Sequence, residues 1–300
     1  TASNLCSEIQ LPTDSFNSFV CCLGSINLLH WEELKDTDAI QTYTLFLNAV
    51  MDEFILKSSR LPGMKRAYRF AKQHRAIGVG VLGYHSLFQS KLIEFDSLES
   101  KGLNNKIFKI MKERTEEGSR WVHDHREVRS LREGFANTTL MAIAPTKSSS
   151  FIHGAVSMGV EPIKSNYFIK DLAKSKTIYK NPFLESELEK YELNDVKTWK
   201  SILKQDGSVQ HLDFPTKAVF KSFVEISPKE IVLQAAQRQK YIDQSQSLNL
   251  MIDPSVPAKH INKLYLYAHE EGIKTLYYQF SKSSAQDFAR NILECSSCEG

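Results

Sequence analysis

The stretch "ASNLCSEIQLPT" (residues 2–13) places four chemically able side chains, Ser3, Asn4, Cys6 and Glu8, within six positions. Asn4, Cys6 and Glu8 alternate with Leu5 and Ser7. On an extended backbone, alternate side chains point the same way. The spacing therefore predicts an amide, a thiol and a carboxylate converging on one small volume. Such a set can orient a substrate, host a reactive sulfur and move a proton.

Other residues could join this chemistry. The five cysteines, Cys6, Cys21, Cys22, Cys295 and Cys298, sit only at the two ends of the chain. An odd, clustered count is a poor disulfide framework and points to reduced thiols in a cytoplasmic setting. Cys21 and Cys22 read as small buried apolar residues, or one of them faces the same site as Cys6. Cys295 and Cys298 have C-x-x-C spacing, which suits an exposed surface pair or a redox dithiol on a flexible arm. A zinc site is not expected, because no second Cys/His pair is suitably placed. The adjacent Tyr277 and Tyr278 fit core packing on opposite faces of a strand, or a relay of hydrogen atoms and electrons. In "APTKSSSF" (residues 144–151), Thr146, Ser148, Ser149 and Ser150 offer hydroxyls where a helix begins. They suit a helix cap or a phosphate site.

The elements that must position these groups read as alternating helices and strands. Helices are predicted over residues 36–58, 104–125, 227–241 and 257–271. Asp36 or Thr37 caps the first; Ile40, Leu47, Val50 and Ile55 form its apolar positions. Ser227, Pro228 and Glu230 start the third, and Gly272 closes the fourth. Strands are predicted over 76–83, 138–145, 247–252 and 273–280. The pattern argues for an α/β fold with parallel strands. Residues 164–222 read as a polar, irregular insertion with short helices, and the chain after Phe280 as an exposed, flexible tail. Of 300 residues, 42% are hydrophobic and 24% charged, ordinary for a globular chain. A net charge of +3 is too small to argue for a nucleic-acid groove. No apolar run reaches the roughly 18 residues of a membrane span, and no signal peptide is expected from the first residues.

Taken together, "SNLCSEI", "VCCLGSINL", "ANTTLMAIAPTKSSS", "RQKYIDQSQSLNL", "GIKTLYYQ" and the closing C-x-x-C resemble, in order and along essentially the whole chain, the large catalytic subunit of aerobic, class I ribonucleotide reductase. The resemblance implies the second half of a ten-stranded α/β barrel. Residues 1–280 would form a parallel five-stranded half-barrel with helices, and 281–300 a redox tail. It implies that Cys6 becomes a thiyl radical, that Glu8 acts as base on the ribose 3′-hydroxyl and that Asn4 orients the same region. Cys21 would be one of two reducing thiols. Pro145, Thr146, Lys147, Ser148 and Ser149 would bind the ribonucleoside diphosphate together with the Asn4–Cys6–Glu8 set. Tyr277 and Tyr278 would relay the radical, and Cys295 and Cys298 would reset the active-site disulfide.

The same resemblance implies no cofactor or metal bound by this chain. A metal-containing small subunit would supply the radical, and thioredoxin or glutaredoxin the electrons. The family's N-terminal portion, with the partner of Cys21, would be a separate piece, as from a split phage-type gene in a host cytoplasm, or part of a longer chain. Cys22 is not expected to replace that partner, since a disulfide between neighbours is strained. The competing reading is a non-catalytic remnant that binds the small subunit or nucleotides. Retention of Cys6, Glu8, Tyr277 and Cys298 argues against it.

Overall fold

The computed structural model describes residues 2–172 and 175–281. Along them run β1 (Ala2–Ser3), β2 (Gln10–Leu11), β3 (Cys22–Asn27), α1 (Trp31–Leu34), α2 (Ala39–Ser58), α3 (Lys65–His74), β4 (Ile77–Leu82), α4 (Tyr84–Ser90), α5 (Leu98–Arg126) and α6 (Lys147–Ile152). They continue with β5 (Tyr167–Leu172), β6 (Ser175–Lys180), α7 (Pro182–Lys190), α8 (Val196–Lys204), α9 (Pro228–Gln239), β7 (Leu250–Met251), α10 (Ala258–Glu270) and β8 (Gln279–Phe280). Parallel strands joined through helices make this an α/β fold, as the alternation in the sequence predicts.

β3 and β4 pair in parallel from Cys22↔Ile77 to Asn27↔Leu82. Residues 139–143 lie beside β4 through the parallel bridge Val79↔Met141, and the next segment joins through Ile143↔Gln246. β7 then pairs in parallel with β8. Five extended segments thus run side by side in one direction, and among the described residues no closed sheet forms. The strand predicted over 138–145 is reduced to two bridges. The reason is Asp243, whose carboxylate accepts from Leu140 N at 2.8 Å and Met141 N at 2.9 Å. Those two donors are lost to a regular ladder. The strands predicted over 247–252 and 273–280 are likewise regular only at β7 and β8.

β4 is buried along its whole length. Ile77, Val79 and Val81 join one core with Ile40 and Leu47 of α2, Ile107, Phe108 and Met111 of α5, and Ile231, Val232 and Ala235 of α9. Each such side chain contributes about 1.5–3 kcal/mol by leaving water. On the other face, a Cβ at Gly78 would lie 2.5 Å from Leu23 Cδ2, and one at Gly80 2.5 Å from Ala142 O. Glycine there lets the neighbouring segments close in.

The helix boundaries shift where capping decides them. α2 begins at Ala39, after Thr37 Oγ1 accepts from Ala39 N at 3.3 Å. Within α2, Met51 is buried and Val50 is exposed, the reverse of the expected face. α5 starts six residues before the predicted 104, because Ser97 Oγ accepts from Ser100 N at 3.1 Å. Ser227 caps α9 through Lys229 N at 3.3 Å. Glu230 pairs with Lys101 at 2.7 Å, and the reciprocal capping box forms at Ser222 and Glu225 instead. Residues 164–222 carry the expected short helices, α7 and α8, but also a regular strand pair and a core of their own. β5 and β6 form an antiparallel hairpin. α7 and α8 enclose a separate small core of Leu184, Leu188, Trp199, Ile202, Val209, Phe214, Val219 and Phe220.

Candidate active site

The amide, thiol and carboxylate sit on the first hairpin. β1 and β2 pair antiparallel, Ala2↔Leu11 and Ser3↔Gln10, which makes residues 4–9 the connecting loop. The backbone of this loop is not extended, contrary to the expectation from alternation. Leu5 and Cys6 lie in a turn, and Ser7 takes φ +63°, in the left-handed region. Ser7 N donates back to Asn4 O at 3.2 Å, and Asn4 Oδ1 accepts from Ile9 N at 3.1 Å. Chain reversal, not strand periodicity, therefore sets the backbone of this loop.

Two later segments seat this loop. Ser245 N donates to Glu8 O at 2.9 Å, Thr275 Oγ1 to Ser7 O at 2.9 Å, and Ser7 Oγ to Leu276 O at 3.2 Å. The Ser247 hydroxyl lies 2.5 Å from Cys6 O and 2.9 Å from Glu8 Oε2. It has one proton, so it donates to one of them at a time. Glu8 is 2% exposed, and this hydroxyl is the side-chain donor that compensates its burial. Ile9 and Leu11 anchor the hairpin against Phe70, Ala76 and Ala142.

Tyr277 and Tyr278 do not occupy opposite faces of a strand, because β8 starts only at Gln279. Their rings lie together, with centroids 4.0 Å apart and planes at 40°. Tyr278 is 53% exposed, which excludes a core-packing role for that ring. Hydrogen bonds of the Tyr277 phenol to Tyr278 and then to Cys6 hold its pKa above the usual phenol range. Tyr278 and Tyr277 are thus in ring contact, and Tyr277 in turn neighbours Cys6.

The neighbouring cysteines at the start of β3 face different surroundings. Cys22 packs against the helix-side core, and burial raises its pKa. Cys21 packs on the opposite side with Ile9, Leu11 and Ala142. Burial pushes the Cys21 thiol up to about 12, against the lowering effect of Gln244 Nε2, which donates to its sulfur at 3.4 Å. The charges of Asp243 and Glu8 add to the rise. Cys21 is thus a protonated thiol at neutral pH, within electrostatic reach of Glu8.

Thr146 precedes α6 with φ +49° and makes no capping bond; its Oγ1 accepts from Gly159 N at 2.8 Å. Thr146 and Ser149 line a cleft of about 390 Å³ with Ser25, Tyr43, Leu82 and His153. Lys147 instead lines a second, more apolar pocket of about 470 Å³ between α6 and the β5–β6 hairpin. Pro145 and Ser148 line neither. Cys295 and Cys298 lie outside the described residues. Among the described residues no cluster of three His, Cys, Asp or Glu side chains could hold a metal ion, and no helix is long and apolar enough to cross a membrane. Sequence reasoning missed Gln244, Ser245, Ser247 and Thr275. The first three stand in the polar run "DQSQS", whose density of amides and hydroxyls beside a strand was the available signal.

Comparison with known proteins gives the family. The family model "Ribonucleotide reductase, barrel domain" matches residues 1–122 and 113–279. The large subunit of ribonucleoside-diphosphate reductase from Invertebrate iridescent virus 6 is 39% identical over 93% of this chain and 30% of its own length. That from Invertebrate iridescent virus 3 is 37% identical over 92% of this chain and 45% of its own. A solved structure, the class Id ribonucleotide reductase alpha subunit of Actinobacillus ureae, superposes with a TM-score of 0.89 at 52% identity, covering 94% of this chain and 53% of that one. The chain thus spans about a third to a half of the relatives it matches. By these matches the chain belongs to the ribonucleotide reductase family, through the barrel domain.

Proposed function

We propose that this chain is the portion of a ribonucleoside-diphosphate reductase large subunit that holds the radical-accepting thiol and converts ribonucleoside diphosphates to 2′-deoxyribonucleoside diphosphates. The observation that carries this reading is the ring contact of half-exposed Tyr278 with Tyr277, and the nearness of Tyr277 to Cys6. It leads from the surface to the cysteine whose backbone carbonyl shares the Ser247 hydroxyl with a buried carboxylate.

The chemistry follows from the residue types. Loss of a hydrogen atom from Cys6 to an oxidised Tyr277 leaves a thiyl radical, because an S–H bond is weak. Cys6 then takes hydrogen from the ribose C3′, while Glu8 accepts the 3′-hydroxyl proton. The 2′-hydroxyl gains a proton and leaves as water. Its replacement by hydrogen consumes two electrons, which Cys21 and a second thiol supply as they become a disulfide. Cys6 returns its hydrogen to C3′, becomes a thiyl again, and takes a hydrogen atom back from the Tyr277 phenol, which regenerates the oxidised tyrosine. A Cys21 thiol held protonated by burial suits a step in which sulfur gives up hydrogen. Asn4 stiffens the loop, and Thr146 and Ser149, with Pro145, Lys147 and Ser148 alongside, form the diphosphate end of the site.

The five parallel segments would be half of a ten-stranded barrel, with residues 164–222 inserted and 281–300 as the redox tail. An open sheet edge calls for a pairing partner, which the remainder of a large subunit would provide. A metal-containing small subunit would oxidise Tyr278, and thioredoxin or glutaredoxin would act through Cys295 and Cys298. The test is made on the enzyme assembled from these parts. Cys6→Ser and Tyr277→Phe are each expected to abolish reduction while ribonucleoside-diphosphate binding persists. Substantial turnover by either variant, or binding without reduction by the unaltered assembly, overturns the reading.

A further inference from the structure

Glu161 and Asn249 lie outside the site described above, yet both are only 5% exposed. Asn249 Nδ2 donates to Glu161 Oε1, and Asn249 Oδ1 accepts from Tyr278 N at 2.9 Å. The two ends of one amide are therefore committed to a carboxylate and to the backbone of the outer tyrosine. A carboxylate oxygen accepts whether the group is ionised or is the carbonyl of the neutral acid, so Glu161 Oε1 takes the amide orientation that turns the NH₂ group toward it. That choice leaves Oδ1 aimed at Tyr278 N. With the amide flipped, two donors would face each other.

The same turn touches the tyrosine a second way. Lys164 Nζ stands 3.7 Å from the centroid of the Phe280 ring. That ring in turn lies 5.9 Å from the ring of Tyr278. Glu161 is itself fixed, since its N donates to Met158 O at 2.9 Å. Tyr278 O also accepts from Leu250 N at 2.9 Å. The backbone of Tyr278 is thus held twice, its O by Leu250 N and its N by the Asn249 side chain, with Glu161 setting the direction of Asn249. Tyr278 needs such holding, because more than half of its surface is open to solvent and its ring must stay 4.0 Å from that of Tyr277.

We propose that Glu161 is a positioning residue which, by orienting Asn249, fixes the backbone of Tyr278 for radical transfer to Tyr277. The part of this that concerns radical transfer rests on the function proposed above; the part that concerns Tyr278 does not. Glu161→Leu keeps the volume but removes the acceptor. Glu161→Gln retains an oxygen that can accept from Asn249. Asn249→Ala removes the link directly and reports on the same contact should Glu161→Leu fold poorly.

In the 300-residue chain, amide hydrogen exchange at Tyr278 is expected to accelerate about tenfold in Glu161→Leu and in Asn249→Ala, the scale of one lost hydrogen bond. It is expected to return to the wild-type rate in Glu161→Gln. Unchanged exchange in the first two variants, or failure of Gln to restore it, overturns the positioning role. In the assembled enzyme, Glu161→Leu is expected to lower kcat about tenfold with the KM for ribonucleoside diphosphate unchanged, and Gln to restore it. Faster exchange with unchanged kcat overturns the link to radical transfer. Tyr278→Phe, assayed alongside, reports separately on the relay itself, since full activity in that variant sinks the proposed function and leaves the exchange result standing.

Discussion

On one side of β4, Ile77, Val79 and Val81 sink among the aliphatic and aromatic side chains of α2, α5 and α9. On the other, Gly78 and Gly80 leave room for Leu23 and Ala142, with Cys21 also close by. Farther along the same array lies the loop of Cys6 and Glu8. The first face is filled by shape alone, and its groups are exchangeable with others of similar volume. The second is held by hydrogen bonds from Gln244, Ser245, Ser247 and Thr275, each aimed at a particular atom. The main core and the candidate site therefore lie on opposite sides of one strand.

That division can be broken by substitution. The largest effect is expected from Cys21→Ser on the polar face. Turnover in the assembled enzyme should vanish while the midpoint of urea unfolding stays put, because a small hydroxyl replaces a small thiol. A large loss of stability in this variant would show that the polar face also carries the fold. The converse case is Phe108→Ala on the helix-side core. Phe108 is fully buried, so truncation should destabilise the chain by about 3–5 kcal/mol. The activity of the fraction that remains folded should be unchanged. Lost activity without lost stability would mean that the two faces are coupled.

A smaller effect sharpens the contrast through pH. Burial raises the Glu161 carboxyl from 4.5 to about 7, against the opposing effects of Asn249 and Lys164. The folded state then binds a proton that the unfolded state has released. Stability from this group is full below pH 4.5, falls as pH rises toward 7 and is flat beyond. The total is about 3 kcal/mol, from roughly 1.4 kcal/mol per pH unit. Urea unfolding of wild type and Glu161→Gln across that range should show the variant lacking this share of the slope. Parallel curves would mean that Glu161 is ionised without penalty.

The apolar face of the fold was legible in the sequence, and the polar face largely was not. The run at 76–83 reads as a buried strand because valine and glycine alternate, and β4 is that strand. Ser227 and Pro228 mark the start of α9 because capping is a local interaction. By contrast, the strand at 138–145 fails because Asp243, about a hundred residues away, takes its donors. No local pattern announces such a bond. The hairpin in residues 167–180 was hidden by its lysines, which mask a two-residue period. At the site, Cys6 and Glu8 stood out as residue types, but the reversal at Ser7 did not. Neither did the placement of both tyrosine rings on one side, which depends on their falling before β8 rather than within it. The residues that seat the loop are serine and threonine, which are common everywhere and gain meaning only from what they face.

The bonds between residue 7 and residues 275–276 run both ways, with Thr275 Oγ1 donating to Ser7 O and Ser7 Oγ donating to Leu276 O. Cys6 adjoins one end of this clasp and Tyr277 the other. The gap that an electron or a hydrogen atom would cross is thus set within three residues of backbone and does not depend on how accurately the intervening 270 or so residues are laid down. Thermal motion that shifts the hairpin as a body carries the tyrosine with it, so the two partners keep register even while their surroundings move. Because tunnelling falls off steeply with separation, such local registration would let a flexible protein repeat the same transfer at every turnover.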